Sequence, residues 1–430
     1  MSGRAPIRIG VQPSGLGLHG GIFQYGLSLL DGLTAYAEGG RLARRVVLVD
    51  GGTELPVDEL AARGWEVVSV PTFRSWRNRL LDPARRLVGE GRLREAWRRR
   101  RGHGDVLLTV PDVDVVEPRP ELAAWFGRLG VDLMVYSAPS PVPFLAGVPY
   151  ILAVHDLQHR LQPEFPEVSA NGEWEWREHV FRHGIENALL VLADSETSKE
   201  DILTFYGDRI DADRIKILPL EPPPYLSPDV PDEDRRRVRE RYGLPERYFF
   251  YPAQFWPHKN HINLVEALGV LAGRGLRPHL AFAGSTTSPI RQRAYQEVVA
   301  RAHELGLEGN VHLLGYVAQE DMPALYAEAV ALAMPTFFGP SNIPPTEAWT
   351  VGCPVLTSDI RGIREQSGNA AVLVDPRSPD AIADGLERLW EDKSLRSALV
   401  EHGRERLAAF THEDYVRRVT EIMDEAAKRL

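Results

Sequence analysis

A lysine in a short loop has the chemistry to stabilise a departing anion. The loop reads FWPHKNH (255–261) and lies between a predicted strand and a segment of helical periodicity. Lys259 would therefore sit beside the N-terminus of a helix, and both features favour an anion such as a diphosphate. Taken alone, the motif is better explained as a surface lysine near a helix cap.

A second loop places an acidic residue inside a capped helix. It reads PTFFGPSNIPPTEAW (335–349), where Ser341 or Asn342 could act as the N-cap and two prolines fall in the first turn. A missing amide has little effect at that point of a helix. We expect a second positive helix terminus here, with Glu347 one turn further in and able to accept hydrogen bonds from ribose hydroxyls. The alternative is an ordinary capped helix with an acidic first turn.

Two further loops carry residues of the kind that contact ligands. His155 and Asp156 end a predicted strand, where such a polar pair can form part of an active site. The loop QPSGLGLHGG (12–21) precedes a helical segment, and Gly20 and Gly21 would let the backbone approach a ligand. This loop lacks the lysine of a Walker motif, and a glycine-rich loop by itself is weak evidence.

Alternating apolar and amphipathic segments predict the scaffold that holds these loops. Short runs rich in Val, Ile and Leu are separated by helical stretches, as in the βαβ units of a covered parallel sheet. The predicted strands are 7–11, 45–50, 65–70, 133–137, 150–155, 189–194, 215–218, 248–253, 279–283, 311–314, 331–334, 354–357 and 371–374. We expect an α/β protein of two Rossmann-like, doubly wound domains that face each other across a cleft.

Six prolines between Pro219 and Pro231 mark the boundary between the two halves, because prolines at that density interrupt helices and central strands. The predicted division is a first domain (1–221), a linker (222–245), a second domain (246–411) and a final helix (412–430). Open parallel sheets bind ligands at the carboxyl ends of their strands, so the four loops should meet in the cleft.

The composition is that of a folded protein without a membrane-spanning segment. The longest apolar stretch (139–154) is interrupted by prolines and is too short to cross a bilayer. We find no targeting segment before the first predicted strand, and we expect the single cysteine, Cys353, to be buried in a core. These features predict a soluble, cytoplasmic protein.

The charge pattern limits the partners. With 50 basic and 60 acidic residues the net charge is −10, so we expect no broad binding of nucleic acid. One segment departs from this balance, since eleven arginines lie between Arg74 and Arg101. It could bind the inner face of a membrane peripherally or attract an anionic acceptor. A solvated helical insertion is the slightly favoured alternative, and the sequence does not indicate an oligomeric state.

The loops resemble, in order, those of the retaining glycosyltransferases of family 4, a group with the GT-B fold. The motifs that carry the resemblance are HDLQH (155–159), ADSETS (193–198), FWPHKNH (255–261) and NIPPTEA (342–348). It implies transfer of a hexose-type sugar from a UDP or GDP sugar, without a metal or other cofactor. The first domain would hold the acceptor, the second would hold the donor, and the final helix would cross back to the first domain. The acceptor, a glycan, a lipid-linked or a secondary-metabolite hydroxyl, is left open.

The resemblance also implies roles for individual residues. Lys259 would bind the donor diphosphate, Glu347 the ribose, and the backbone of Val317 the nucleotide base. His155 would lie beside the transferred sugar, with Asp156 next to it among the catalytic residues. The donor site as a whole would include Gly20, Gly21, Gln254, Lys259, Gly284, Val317, Gly339, Pro340, Ser341, Asn342 and Glu347.

Two positions depart from the family pattern. Gly339 stands where the first glutamate of a Glu–seven residues–Glu motif is expected, and Gln254 stands where an arginine usually precedes the lysine by five residues. The first change removes a carboxylate near the donor sugar. The second removes a positively charged side chain from the surroundings of the diphosphate. Backbone amides between Gly339 and Asn342 could replace part of that charge.

These departures leave alternatives open. One is a pseudo-enzyme that binds a nucleotide sugar without turnover, and another is a nucleotide-sugar epimerase of the same fold, which would need no acceptor. A metal-dependent glycosyltransferase using Asp112-Val-Asp114 has only a short and common pattern in its favour.

Overall fold

The structure, a computed structural model, describes residues 6–13, 21–49, 55, 57–70, 113–116 and 119–430. Two parallel sheets organise this part of the chain. The first sheet has the order β3-β2-β1-β4-β5-β6-β7 and contains β1 (Ile7–Gln12), β2 (Leu42–Val49), β3 (Glu66–Ser69), β4 (Leu133–Tyr136), β5 (Tyr150–Ala153), β6 (Leu190–Ala193) and β7 (Ile215–Ile217). The second has the order β10-β9-β8-β11-β12-β13 and contains β8 (Tyr248–Pro252), β9 (His279–Ala283), β10 (Val311–Gly315), β11 (Ala331–Met334), β12 (Val355–Ser358) and β13 (Val372–Val374). The predicted pair of Rossmann-like domains is confirmed.

Helices connect the strands and cover both faces of each sheet. With the first sheet are α1 (Gly21–Tyr36), α2 (Val57–Ala62), α3 (Pro120–Leu129), α4 (Val142–Ala146), α5 (Gln158–Leu161), α6 (Pro166–Ser169), α7 (Glu173–Asn187) and α8 (Glu196–Tyr206). The rest of the chain forms α9 (Asp232–Tyr242), α10 (His261–Gly273), α11 (Pro289–Glu304), α12 (Met322–Glu328), α13 (Ile343–Thr350), α14 (Arg361–Ser367), α15 (Pro379–Glu391), α16 (Lys393–Ala408) and α17 (His412–Arg429).

Every predicted strand is present, although several ends are shifted. The largest change is in β2, which begins at Leu42 rather than Arg45. Arg44 is in register with Arg8 of β1, and its guanidinium lies 2.7 Å from the carboxylate of Glu66 on β3. A prediction based on apolar runs misses the start of this strand because paired charges occupy it.

Apolar side chains alternate between the two faces of the first sheet. Val47 belongs to one buried cluster, whereas its neighbours Val46 and Leu48 belong to the cluster on the opposite face. Each such side chain contributes about 1.5–3 kcal/mol when it is removed from water. Cys353 is buried in the core of the second domain, and burial raises the pKa of its thiol to about 12.

The final helix, α17, lies against the first domain. Thr411 and Asp414 form a capping box at its start, so this helix begins at a defined residue. Its buried residues, Tyr415, Val419, Ile422, Met423 and Ala426, recur at helical spacing and pack into one core of the first domain. Gly32 of α1 permits the close approach, because a Cβ there would lie 3.0 Å from Val419. The chain thus passes through the second domain and returns to the first.

Two expectations concern segments that the structure leaves undescribed. The arginine-rich segment 74–101 and Gly20 lie outside the described residues, so contact of that segment with a membrane or an anionic acceptor stays a prediction. Within the described residues, no helix combines the length and the apolar character needed to cross a bilayer.

Candidate active site

The Lys259 loop is fixed to the carboxyl edge of the second sheet by the residue that follows the lysine. Asn260 adopts a left-handed conformation with φ 60°, which asparagine tolerates better than most residues. Its buried side-chain amide donates to the carbonyl oxygens of Pro335 and Pro376, each at 2.7 Å. These two residues follow β11 and β13. The loop after β8 is thereby held beside the ends of two other strands, and Lys259 with it.

The Lys259 ammonium group meets the second predicted loop. Its Nζ donates to Oδ1 of Asn342 at 3.3 Å. Burial lowers the pKa of Lys259 to about 8, although the carboxylates of Asp156 and Glu167 in the first domain act in the opposite direction. The lysine is half-buried and still mainly charged near neutral pH. It is therefore a desolvated cation that faces both domains.

Asn342 occupies the predicted N-cap position of α13, but its side chain makes no capping hydrogen bond, which corrects that part of the prediction. The side chain of Gln366 instead binds the backbone of Asn342: its Oε1 accepts from the Asn342 amide at 3.0 Å, and its Nε2 donates to the Asn342 carbonyl at 2.6 Å. Pro344 and Pro345 have no amide hydrogen. The start of α13 thus offers fewer free donors than the sequence suggested, and Lys259 carries more of the positive potential.

Gly339 has a conformation that explains one departure from the family pattern. Its φ is 138°, a value that disfavours side chains, and a Cβ there would overlap the side-chain amide of Asn342. A glutamate at this position is therefore incompatible with the observed loop. Glycine at position 339 thus permits the loop conformation in which the side chain of Asn342 contacts Lys259.

Glu347 is buried and held by two tyrosines. Its Oε1 accepts from the hydroxyl of Tyr225 at 2.7 Å, and its Oε2 accepts from the hydroxyl of Tyr326 at 2.6 Å. Burial raises the pKa of this carboxyl group, and the two hydroxyl donors partly offset the effect. Each carboxylate oxygen retains a lone pair for another donor. Tyr225 comes from the proline-rich linker, so the linker takes part in building the site.

His155 and Asp156 lie on the opposite wall of the cleft, just after β5. His155 Nε2 is 2.7 Å from the carbonyl oxygen of Ser137, so this nitrogen carries the proton that is donated. Burial alone would raise the pKa of the Asp156 carboxyl, but the guanidinium of Arg177, 3.6 Å away, and the amide of Gln158 lower it. Asp156 is consequently ionised and fixed in place.

Hydrogen bonds join the two domains at the loops after β8 and β11. The Ser341 hydroxyl donates to Asp194, which follows β6 in the first domain. Glu167 of α6 accepts from the backbone amide of His258 at 3.0 Å and lies 2.7 Å from its Nδ1. The amide of Gln162 donates to the carbonyl of Phe337 at 2.9 Å. Both loops of the second domain therefore contact the first domain directly.

A further contact between the domains involves Glu365 of α14. Its carboxylate accepts from the backbone amides of Glu196 and Thr197 at 2.8 Å and 2.9 Å, at the first turn of α8. Carboxylates are favoured at this end of a helix. Close by, Arg361 pairs with Asp201 of the same helix. We call Glu365, Arg361 and these partners the α8 contact.

Four further residues of the predicted donor site are Gly21, Val317, Gly284 and Pro340. Gly21 begins α1 and faces α13, since a Cβ there would lie 3.3 Å from the side chain of Ile343. Val317 is buried just after β10. Gly284 has a packing role, because a Cβ there would overlap the carbonyl oxygen of Ala253, and Pro340 packs closely on Gly362.

Gln254 is engaged with neighbours in its own domain. Its Oε1 accepts from Trp256 Nε1 at 3.0 Å and from Arg291 Nη1 at 2.8 Å. Asp114, from the discounted metal motif, pairs with Arg182, whereas Asp112 lies outside the described residues.

Sequence reasoning missed several residues that shape the site. Gln366, Tyr225 and Glu167 each fix a predicted loop or residue from outside its motif, whereas Asn260 does so from within the motif of Lys259. Of these, only Asn260 left a signal, as a residue suited to a left-handed conformation just before a helix. The others act across 24 to 122 positions of sequence, a separation that spacing does not reveal.

The second domain is similar in sequence to known glycosyltransferases. Residues 233–406 match the family model described as glycosyl transferases group 1. The chain is 28% identical over 253 residues to O-antigen chain mannosyltransferase B of Escherichia coli, which covers 58% of this chain and 64% of that protein. It is 25% identical over 269 residues to alpha-D-kanosaminyltransferase of Streptomyces kanamyceticus, covering 60% and 65%. The matched segments thus span slightly less than two thirds of these relatives.

Solved structures share the arrangement of the whole chain. Anabaena HepE in complex with UDP and glucose superposes with a TM-score of 0.68 at 18% identity, covering 97% of this chain and 99% of HepE. A glycosyltransferase from Rickettsia africae superposes with a TM-score of 0.65 at 17% identity, covering 98% and 99%. This chain thus has the GT-B fold, and its second domain is similar to the group 1 glycosyl transferases.

Proposed function

We propose that this chain transfers a hexose-type sugar from a nucleoside diphosphate sugar to an acceptor hydroxyl, with retention of configuration and without a metal ion. One observation carries the proposal: Lys259 Nζ and Asn342 Oδ1 lie 3.3 Å apart where the carboxyl ends of two parallel sheets face each other. Both relatives described above are named for sugar transfer, which supports the same class of donor.

The proposed chemistry requires stabilisation of negative charge on the leaving diphosphate. The bond between the anomeric carbon and the β-phosphate oxygen breaks, and charge grows on that oxygen. A desolvated ammonium group held in advance stabilises such charge more strongly than water does. Lys259 fits this role because Asn260 fixes its loop and Asn342 orients its Nζ.

The acceptor oxygen then bonds to the anomeric carbon from the same face, and its proton passes to the departing phosphate oxygen. Retention is proposed from the family resemblance. His155 and Asp156 are the residues of the first domain proposed to lie beside the transferred sugar. The ionised Asp156 and the histidine fixed on Ser137 can orient hydroxyl groups there.

Glu347 and Val317 are proposed to hold the nucleoside. A carboxylate that already accepts two tyrosine hydroxyls keeps lone pairs for ribose hydroxyls. Contacts such as Ser341 with Asp194 bring the domains together around both substrates. Such closure excludes the water that would otherwise hydrolyse the donor.

A thermal-shift screen tests the proposal first at the level of binding. UDP, GDP and their hexose derivatives are added in turn, because a true donor raises the melting temperature by mass action. The expected result is stabilisation by one nucleotide series. Absence of a shift with every nucleoside diphosphate tested contradicts the proposal.

Turnover assays then separate the alternatives. A glycosyltransferase releases nucleoside diphosphate only when an acceptor is added, beyond a slow hydrolysis. An epimerase converts the donor sugar without any acceptor. A pseudo-enzyme binds the donor and shows no turnover across a broad acceptor panel. Full activity in a chelator supports metal independence, and loss of activity on chelation contradicts it.

A further inference from the structure

An arginine that no motif includes lies against the Lys259 loop. Arg291 is in the first turn of α11, and its Nη1 donates to Oε1 of Gln254, five residues before the lysine. Its guanidinium also stacks on the ring of Trp256 in the same loop, 4.8 Å from the ring centroid. Two residues of that loop therefore fix the position of the guanidinium.

Within the described part of the chain, Arg291 has no carboxylate in ion-pair range. Its side chain bonds instead to uncharged oxygens, namely Ser288 Oγ at 3.0 Å, Thr287 Oγ1 at 2.9 Å and Gln254 Oε1 at 2.8 Å. Other arginines near the cleft are neutralised, such as Arg160 by Glu178 and Arg361 by Asp201. Hydrogen bonds therefore fix this guanidinium, and no described residue neutralises its charge.

The surroundings of Arg291 disfavour a lone cation. The N-terminus of a helix carries partial positive charge, and the first turn of α11 contains no acidic residue. Burial lowers the pKa of Arg291 below its ordinary value, in keeping with a partly desolvated charge. An anion bound between the guanidinium and the helix would relieve both penalties.

We propose that Arg291 binds a phosphate of the donor nucleotide, together with Lys259. The inference rests on the proposed function, since it assumes a nucleoside diphosphate in this cleft. Gln254 supplies no charge itself, but its carboxamide holds the guanidinium of Arg291 at that point of the loop. The positive charge that faces the diphosphate then comes from the first turn of α11 as well as from the loop after β8.

Calorimetric titration of three ligands with increasing phosphate content tests this assignment. The wild-type protein, Arg291→Gln and Arg291→Lys are titrated with uridine, UMP and UDP, and with the matching guanosine series. Arg293→Gln is the control, because it removes the same charge from an exposed position two residues away on the same helix. Melting temperatures establish that each variant is folded, and Arg291→Lys keeps the charge should Arg291→Gln be unstable.

The expected result is a loss in diphosphate affinity of about ten- to a hundred-fold in Arg291→Gln, as for a lost charge-assisted hydrogen bond. The nucleoside should bind unchanged, Arg291→Lys should lose less, and the salt dependence of diphosphate binding should weaken. Unchanged diphosphate binding overturns the assignment, and so does an equal loss for the nucleoside. A wild-type protein that binds neither series overturns the proposed function as well.

Discussion

Lys259 Nζ donates to Asn342 Oδ1 at 3.3 Å, although 83 positions of sequence separate the two residues. The contact joins the loop after β8 to the loop after β11 at one edge of the second sheet. It also uses the asparagine side chain that the sequence predicted as a helix cap. An ammonium group held between two loops therefore contributes positive charge to the cleft.

The pH dependence of diphosphate binding should follow the titration of Lys259. Burial lowers the pKa of this lysine to about 8, so the free protein loses the charge as the pH rises through that value. Bound diphosphate raises the pKa again, so affinity should fall by up to tenfold per pH unit above about pH 8. Titrations of UDP and GDP between about pH 7 and pH 9.5 measure this, with the nucleosides as pH-independent controls. A flat profile for the diphosphates contradicts the assignment.

Replacement of Gly339 by alanine should lower turnover strongly. The change forces a side chain into a conformation with φ 138° and against Asn342, so it strains the backbone by about 1–3 kcal/mol and displaces the partner of Lys259. Gly243→Ala is the matched control, since φ is 61° there and a Cβ meets no atom within 4 Å. Both variants should melt at lower temperature, but only Gly339→Ala should lose most of its turnover. Equal turnover in the two variants would show that the loop conformation is unimportant.

Tyr225→Phe should weaken binding of the donor with little change in the maximal rate. The variant removes one of two hydroxyl donors to Glu347 and leaves its carboxylate less well oriented for the proposed contact with ribose. Loss of one hydrogen bond to a charged group should raise the KM for the sugar donor by about tenfold. Tyr242→Phe is the control, because it removes a 2.8 Å tyrosine bond to a carboxylate, Asp321, which belongs to a different cluster. An unchanged KM in Tyr225→Phe, or an equal rise in both variants, argues against this role.

Glu365→Gln should loosen the contact between the domains. The carboxylate accepts from two amides at the first turn of α8, and a neutral carboxamide accepts more weakly at this positive helix end. We expect a several-fold drop in kcat/KM and a larger radius of gyration by small-angle scattering. Glu401→Gln is the control, because Glu401 pairs with Arg404 of its own helix, α16, at 3.4 Å. A compact, fully active Glu365→Gln protein would show that the α8 contact does not govern closure.

The sequence predicts the scaffold better than it predicts the site. Strands such as His279–Ala283 and Ala331–Met334 are buried apolar runs, and their bounds agree with the predicted ones. Their parallel order follows from the helices between them. The prediction misses the start of β2, Leu42 to Arg44, because Arg44 enters the sheet with its charge paired to Glu66 of β3.

Contacts between distant parts of the chain explain what could not be predicted. The bond of Ser341 to Asp194 spans 147 positions, and it exists only because two separate sheets end at the same cleft. The backbone amide of Asn342, just before α13, donates to the side chain of Gln366, 24 positions further along the chain. Nor does composition reveal that Gly339 has a φ of 138°, although that angle explains why glutamate is absent.

The variant Lys259→Met decides whether the charge of Lys259 stabilises the proposed diphosphate leaving group. Because the pKa of about 8 lies below the ordinary value of 10.5, burial of this charge opposes folding below about pH 8, and the penalty fades as the pH rises towards 10.5. A neutral side chain removes that penalty, so the variant should melt at a higher temperature near pH 7.

The measurement is the turnover of the preferred donor by Lys259→Met and by the wild-type protein, with the melting temperature of each. We expect turnover to fall by about a hundred-fold or more in a variant that is at least as stable as the wild type. Wild-type turnover in a folded Lys259→Met protein would contradict it.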